Sequence, residues 1–535
     1  MNIIFPGSSE IYKKLGKAEH VQEHYRMFRY CYTCCLDDKI LIYNRITGTL
    51  VQLSDETMEE FTESQYAYDN WFSVPCDFND EMHVLNCLGD MLDSKLASPA
   101  ESEEICRSLY EAYIREKVMV TKRQNIFNFN QIESFCQQYG SPIYVFRKDD
   151  FIKNYNNIQR CFESKYLKYR IAYSFKTNYT PYICNLVKEL GGFAEVVSDF
   201  ELFLARRIGF ADDCIIYNGP WKGELCEEFL LNGGLLNVDN ETEMQRIIAI
   251  AKNNPSKEIK IGIRLNLDVG QGYISRFGIS ADDGCFERIL AMVYKTKNLK
   301  LSGLHCHIAI TNIQSWEKRS RYIINIIEKY SLKSLDYIDL GSGMHVRIFH
   351  DKNAPSRYDI RTLETYSKTA LTPFNDFYNS HSDYAKPYIY TEPGALLIRN
   401  HIDFVTQVKA IKTVNNQQFV ILNSSSLHLG NEWYLDHKPV LSVRKDPKSS
   451  HWCENATFVG DTCLESDKLY EGYSGFLSEG DFIVFGDVGA YSNVKKPPFI
   501  SPSAPIISIN DMGEVELLKK GESYEDLLKP YSIIE

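Results

Sequence analysis

The sequence contains no apolar run of the eighteen or so residues needed to cross a bilayer, so no membrane-spanning segment is expected. Its start, MNIIFPGSSEIYKK, lacks a basic stretch followed by a long apolar core, so no secretory signal is expected either. Positive charge is not in surplus: 59 Lys and Arg stand against 71 Asp and Glu, a net charge of −12, which argues against general nucleic-acid binding. Low-complexity tracts are missing, and the only repetition is the strand–helix alternation described below. With no secretory signal, fifteen cysteines in 535 residues imply reduced thiols in a cytoplasmic protein rather than a disulfide framework. What remains, 44% hydrophobic and 24% charged, fits a soluble globular chain of two or three domains.

Between about 170 and 395, short apolar runs alternate with helical patterns. The runs are RIAYSF, FAEVVS, CIIYNG, LLNVD, IKIGIRLN, LSGLHCHI, YIDLGSG and YIYTEPG. Between them lie segments with apolar residues at three- and four-residue spacing, such as ETEMQRIIAIAKNNP and WEKRSRYIINIIEKY. PYICNLVKELGG has Pro181 placed to open a helix and Gly191 to close it. Buried strands alternating with amphipathic helices imply a parallel sheet covered on its faces. Eight such units predict an α/β fold, a closed (β/α)8 TIM barrel, with a doubly wound open sheet as the competing architecture. Polar or small residues gather at the strand ends, where such barrels carry their chemistry: Lys176, Ser198, Asn218, Asp239, Arg264, His307, Gly341, Gly343 and Glu392.

The pattern changes after 396. HIDFVTQVKAIKT, QQFVILNSSS, PVLSVRK, NATFVGDTC and GDFIVFGDVGAYS alternate like short strands, and a short helix is expected near SYEDLLKPY. The expected divisions are an α+β extension over 1–118, the barrel over 119–395 and an all-β domain over 396–535. In the extension, DDKILIYNRITGTLVQLSDETMEEF predicts a hairpin turning near Thr47–Gly48, then a helix capped by Ser54 with Asp55 and Glu56 in its first turn.

Lys176 ends a run of small and aromatic residues, where a solvated lysine is out of place. A lysine at a strand end is ordinarily solvated or ion-paired, but a desolvated one has a lowered pKa and can act as a nucleophile or Schiff-base amine. A Schiff-base cofactor also needs an anion cradle and a partner for its ring nitrogen. Gly341-Ser342-Gly343, directly after a strand, can offer backbone N–H groups to a phosphate, although glycine there can equally serve the turn. Glu392 ends a buried strand; it is either an ion-paired acid or the group that keeps a pyridine nitrogen protonated. His305 and His307 share a strand face, but no third ligand is apparent, so no metal is expected there.

These residues resemble the fold-type III pyridoxal-phosphate enzymes, and within them the ornithine/diaminopimelate/arginine decarboxylase group. YSFKTN, EVVSDFEL, NGPWK, LNVD, IRLN followed by SRFGI, GLHCHI, DLGSG, TEPG, GDTC and GAYS occur in that family's order from about 140 to 515. The resemblance implies pyridoxal 5'-phosphate as cofactor, joined to Lys176 as a Schiff base. It places His307 over one face of the ring, Glu392 at the pyridine nitrogen, and Gly341, Ser342, Gly343, Gly394 and Tyr491 around the cofactor. It also implies a head-to-tail homodimer with shared sites, in which Cys463 acts on the substrate carbanion of a neighbouring subunit and Leu464 and Asp467 lie beside the substrate. The activity implied is decarboxylation of a small-molecule amino acid to an amine and carbon dioxide. A racemase is disfavoured because that branch pairs the ring nitrogen with a cation; a catalytically silent binding protein is the competing class.

Three positions depart from the family pattern. Ala395 replaces an arginine that contacts the phosphate, and Ile310, with Thr311 beside it, replaces a serine that does the same; Arg399 or Thr311 is the expected substitute. Leu464 replaces an acid that grips a distal amino group, so a simple basic diamino acid is not the expected substrate unless Glu465 takes over. At the front, ILIYNRITGTLVQLSDET is similar to small winged-helix modules that clamp leader peptides, which implies docking of a pathway protein or peptide through residues 1–118. Cys31, Cys34 and Cys35, with Cys76, Cys87 or His83, have the make-up of a metal site, but packed thiols are the expected state.

Overall fold

The computed structural model describes residues 127–268, 275–308, 313–344, 363–430, 440–446 and 451–532, together with seven short strands within the first 91 residues. Eight parallel strands form the centre: β1 (Tyr169–Ser174), β2 (Phe193–Val196), β3 (Ile215–Tyr217), β4 (Leu235–Val238), β5 (Ile259–Asn266), β6 (Leu299–His305), β7 (Tyr337–Asp339) and β8 (Tyr388–Thr391). They pair in the order β4-β3-β2-β1-β8-β7-β6-β5, and β4 also pairs with β5, so the sheet closes into a barrel. The expected barrel is present, and closure excludes the open sheet.

Helices α1 (Pro181–Glu189), α2 (Asp199–Ile208), α3 (Cys226–Leu231), α4 (Glu241–Asn253), α5 (Cys285–Lys295), α6 (Ile313–Lys329) and α7 (Leu363–Ser380) lie between the strands. Their starts follow local chemistry. Pro181 occupies the first turn of α1, and Ser198 and Asn240 accept the free N–H groups of Glu201 and Glu243 at the starts of α2 and α4. Apolar faces of strands and helices form one large core, whereas the barrel interior holds a smaller cluster of Ala172, Ile216, Tyr337 and Tyr390.

The second sheet runs in the order Lys468–Leu477, His451–Val459, Gln417–Leu422, Ile402–Val414, Ile143–Arg147, Ile506–Ile509, Val515–Lys519, with Phe482–Phe485 joining Ile402–Val414 to Val440–Val443. Each of the five segments read as strands after 396 contributes one, and Tyr524–Leu528 is the short helix, capped by Ser523. Ile143–Arg147 was not expected here. It precedes the barrel in sequence, yet pairs antiparallel with Ile402–Val414 and parallel with Ile506–Ile509. Buried Ile143 and Val145 explain its place, since they pack against Val405, Phe482 and Val484.

In the extension, Lys39–Asn44 pairs antiparallel with Leu50–Gln52, and the turn expected near Thr47–Gly48 lies outside the described residues. The helix expected after Ser54, and Cys76, Cys87 and His83, lie outside the described residues. Among the described residues, no helix is long and apolar enough to cross a membrane.

Candidate active site

Lys176 follows β1 within a short helical turn, Phe175–Thr177. Its Nζ lies 2.6 Å from Glu195 Oε2, and Ser174 Oγ donates to the same oxygen at 2.5 Å. The side chain stays 34% exposed, while Glu195 is buried. Burial pushes the amine down, but the Glu195 and Glu392 carboxylates outweigh it and hold Lys176 above the ordinary lysine value. The expected lowered pKa is therefore corrected: an acid inside β2, not seen as functional in the sequence, makes Lys176 an ammonium ion.

Glu392 follows β8 and is buried. Its Oε1 accepts from Asn218 Nδ2 at 2.6 Å and lies 3.3 Å from His305 Nε2; its Oε2 lies 3.2 Å from His307 Nδ1. Asp339, at the end of β7, is buried against it. Burial would raise Glu392, yet the two histidines bring it well below the usual range, and burial plus the Glu392 charge push Asp339 well above it. Of two adjacent acids, one keeps the proton: Asp339 is neutral and Glu392 ionised. His305, pushed down to about 4 by burial, is neutral at pH 7. His307 Nδ1 also lies 3.2 Å from the Ser342 N–H, so it either accepts from Ser342 or donates to Glu392.

His305, Asp339 and Glu392 place ligand-type atoms within 4.8 Å of one another. The sequence offered no third partner for His305; Asp339 and Glu392 supply it from two other strands. The proton that Asp339 keeps nevertheless accounts for two acids being buried side by side.

Gly341 has φ +60° and Gly343 φ +106°, and a Cβ on Gly341 would sit 2.7 Å from His307 Cβ, so the turn after β7 needs glycine. The Gly341 N–H is already given to Asp339 Oδ1 at 2.8 Å. Below the turn, the buried guanidinium of Arg319 on α6 donates to Leu340 O, Ser342 O (3.1 Å) and Ile308 O (3.2 Å) and rests on Trp316. Arg319 fixes the Gly341–Gly343 backbone, yet in sequence it resembles one more charge on a solvated helix face.

The GAYS loop reaches the same place from the β domain. Tyr491, with φ +57°, donates its N–H to Thr177 O at 2.9 Å, and Asn178 Nδ2 donates to Gly489 O at 2.9 Å. Gly394 packs so tightly on Thr177 that a Cβ would overlap Thr177 Oγ1. Ala395 begins a short helix followed by a turn at Arg399–His401; Ile310 and Thr311 lie outside the described residues. Cys463 and Leu464 are exposed on the loop joining His451–Val459 to Lys468–Leu477. Asp467 is buried in that loop and accepts from Ser425 Oγ (3.1 Å), the Ser426 N–H (2.7 Å) and Thr462 Oγ1 (2.5 Å). Its carboxylate braces the loop.

At one mouth of the barrel stand an ion-paired lysine, an ionised acid buried on another strand, a half-exposed histidine and a glycine turn held from below. This combination defines a (β/α)8-barrel enzyme site. Residues 148–398 match the family described as "Pyridoxal-dependent decarboxylase, pyridoxal binding domain". The diaminopimelate decarboxylase of Aquifex aeolicus is 25% identical over 417 residues, 75% of this chain and 93% of that protein. The crystal structure of diaminopimelate decarboxylase from M. jannaschii in co-complex with L-lysine gives a TM-score of 0.65 at 20% identity, covering 75% of this chain and 94% of that one. Lysine decarboxylase from Selenomonas ruminantium gives 0.58 at 18%, covering 76% and 99%. Residues 148–398 thus carry the pyridoxal-binding domain of the pyridoxal-dependent decarboxylases: the protein is an amino-acid decarboxylase, and its cofactor is pyridoxal 5'-phosphate. The residues fit that group: Lys176 stands at the barrel mouth beside a turn that needs glycine at 341, and Glu392 is an ionised acid whose partners among the described residues are Asn218, His305 and His307.

Proposed function

We propose that the protein decarboxylates a free amino acid at a site centred on Lys176, and that its substrate lies outside the simple basic diamino acids. The observation that carries the site is the pairing of Lys176 with Glu195 while another acid, the ionised Glu392, stands within its electrostatic reach. Bound at Lys176, pyridoxal phosphate supplies an electron sink for the pair left when the α-carboxylate departs as carbon dioxide. The chain's own residues do the rest. Glu195 takes up the proton that Lys176 must lose before its amine can bond to an aldehyde. Glu392, kept ionised by Asn218 and the histidines, would hold a proton on the ring nitrogen. His307 would cover the ring, and Gly341, Ser342, Gly343, Gly394 and Tyr491 would hold the phosphate.

Cys463 and Leu464 enter this scheme through a head-to-tail homodimer, in which the exposed loop of one copy reaches the site of the other. The Cys463 thiol then protonates the α-carbon, and the Leu464 side chain meets the far end of the substrate. An apolar side chain there disfavours a distal ammonium group. A second reading, diaminopimelate as substrate, is favoured by the names of the curated relatives and by the 93% of the Aquifex protein that the match covers; Glu465, next to Leu464, would then provide the missing carboxylate. Residues 1–118 are proposed as a docking module for a pathway protein, outside a barrel of 119–395 and a β domain of 396–535 that also takes in the strand Ile143–Arg147.

The test is carbon dioxide release by the pure protein with added pyridoxal phosphate, screened over apolar, acidic and basic amino acids and diaminopimelate, with Lys176→Ala as the blank. A visible absorbance band and turnover of at least one amino acid are expected. A protein that stays colourless with added cofactor refutes the reading, and turnover of diaminopimelate alone selects the second substrate.

A further inference from the structure

The barrel interior holds a row of polar groups that the chemistry above leaves unexplained. Tyr337 OH donates to Asn237 Oδ1 at 2.8 Å, and Asn237 Nδ2 donates to Asn218 Oδ1 at 2.8 Å. Asn218 Nδ2 then donates to two carboxylates, Glu392 Oε1 at 2.6 Å and Glu195 Oε1 at 3.2 Å. All five side chains are buried and come from five strands or strand ends. Three uncharged polar groups inside a barrel are costly unless each is paired, and here each is paired in sequence.

We propose that Tyr337, Asn237 and Asn218 form a one-way hydrogen-bond relay that points an amide N–H2 group between Glu195 and Glu392 and keeps both ionised at once.

Direction follows from donor and acceptor chemistry. Ionised carboxylates only accept, so Asn218 must present its N–H2 to them and its oxygen to Asn237. Asn237 must then donate to Asn218 and accept from Tyr337, whose phenol, kept protonated by burial, has a proton to give. Reversing Asn218 would turn an amide oxygen toward two negative charges, and reversing Asn237 alone would set two amide oxygens against each other. Two acids facing one small site would otherwise tend to share a proton, as Asp339 and Glu392 do. Lys176 needs one of the two ionised, and the ring nitrogen needs the other.

The surrounding strands provide a second, independent observation. A Cβ on Gly262 of β5 would overlap Asn237 Oδ1 and Tyr337 OH, and a Cβ on Gly303 of β6 would overlap the Tyr337 ring. Glycine inside a strand weakens it and marks a place where something must approach closely. Here two neighbouring strands give up a side chain to admit the Tyr337–Asn237 pair. The three polar side chains are positioning residues, since they act through Glu195 and Glu392.

The inference rests on the proposed roles of Glu195 and Glu392, so its primary test uses cofactor-free protein. Glutamate side chains labelled with carbon-13 are titrated by NMR in wild type, Tyr337→Phe, Asn218→Leu and Asn218→Asp, with thermal melting alongside. Losing a hydrogen bond to a charged group is expected to raise one glutamate carboxyl by about one pH unit in Asn218→Leu. Asn218→Asp, the same size but an acceptor, should raise it further, and Tyr337→Phe should raise it less. Lower melting with no glutamate moved, or an Asn218→Asp titration like that of wild type, overturns the relay. Cofactor binding is then measured on the same proteins. Weaker binding in the variants supports the relay. A moved glutamate in a protein whose wild type never binds pyridoxal phosphate supports the relay and overturns the functional reading instead.

Discussion

Glu201 offers a clean measure of how heavily acids are loaded around Lys176. It sits in the first turn of α2, buried, and accepts the Val197 N–H at 2.7 Å. Burial first, and then the charge of Glu195, push its carboxyl up to about 7, against the bond from Val197 and the pull of Lys176. The unfolded chain has an ordinary carboxyl, so between pH 4.5 and about 7 the folded state binds the extra proton. Stability from this group is therefore lost as pH rises through that window, and the cost levels off above it. Moving a carboxyl from 4.5 to about 7 corresponds to about 3 kcal/mol by linkage. Glu201→Gln keeps an oxygen for Val197 and carries no charge at any pH. In urea titrations of cofactor-free protein, its stability relative to wild type should increase from pH 5 to pH 8 by up to about 3 kcal/mol. A difference between the two proteins that is the same at both pH values would refute the reasoning.

Two further outcomes are expected. Arg319→Lys replaces a fork spanning three carbonyls by a point charge, so the dissociation constant for pyridoxal phosphate, read from the visible band, should rise about tenfold, as loss of about one charge-assisted bond implies; an unchanged constant would remove Arg319 from the support of the glycine turn. His305 and His428 are both pushed down to about 4 by burial, so the unfolded chain binds the extra protons between pH 6.5 and about 4. Their stabilisation is present above 6.5 and is lost as pH falls, so melting temperature should drop steeply across that window and less so in His428→Asn; parallel curves would refute the claim for His428.

Much of the barrel was legible because its strands are buried on both faces and end abruptly in polar residues. Lys176, His307, Gly341 and Glu392 are visible as such endings. Glu195 and Asp339 are harder to see because they lie inside apolar runs, FAEVVS and YIDLGSG, where only the solitary acid hints at a function. The raised pKa of Lys176 is not legible in the sequence, because burial is visible there and a partner from the next strand is not. Asp467 looks like an exposed loop acid but is spent on Ser425, Ser426 and Thr462, contacts about forty residues away in part. The strand Ile143–Arg147 could not be assigned to the β domain by pattern, since its two neighbours lie beyond the barrel.

That last strand has a consequence for how the molecule is made. During synthesis Ile143–Arg147 emerges first and must wait, edges unsatisfied, until the entire barrel and then Ile402–Val414 have left the ribosome. A fragment ending at 395 would keep this strand with neither neighbour and so should aggregate, while a circular permutant opened within a barrel loop would shorten the wait. Because the barrel leaves and re-enters the same sheet, it is tethered at two points, and a single hinge cannot swing Lys176 away from Tyr491.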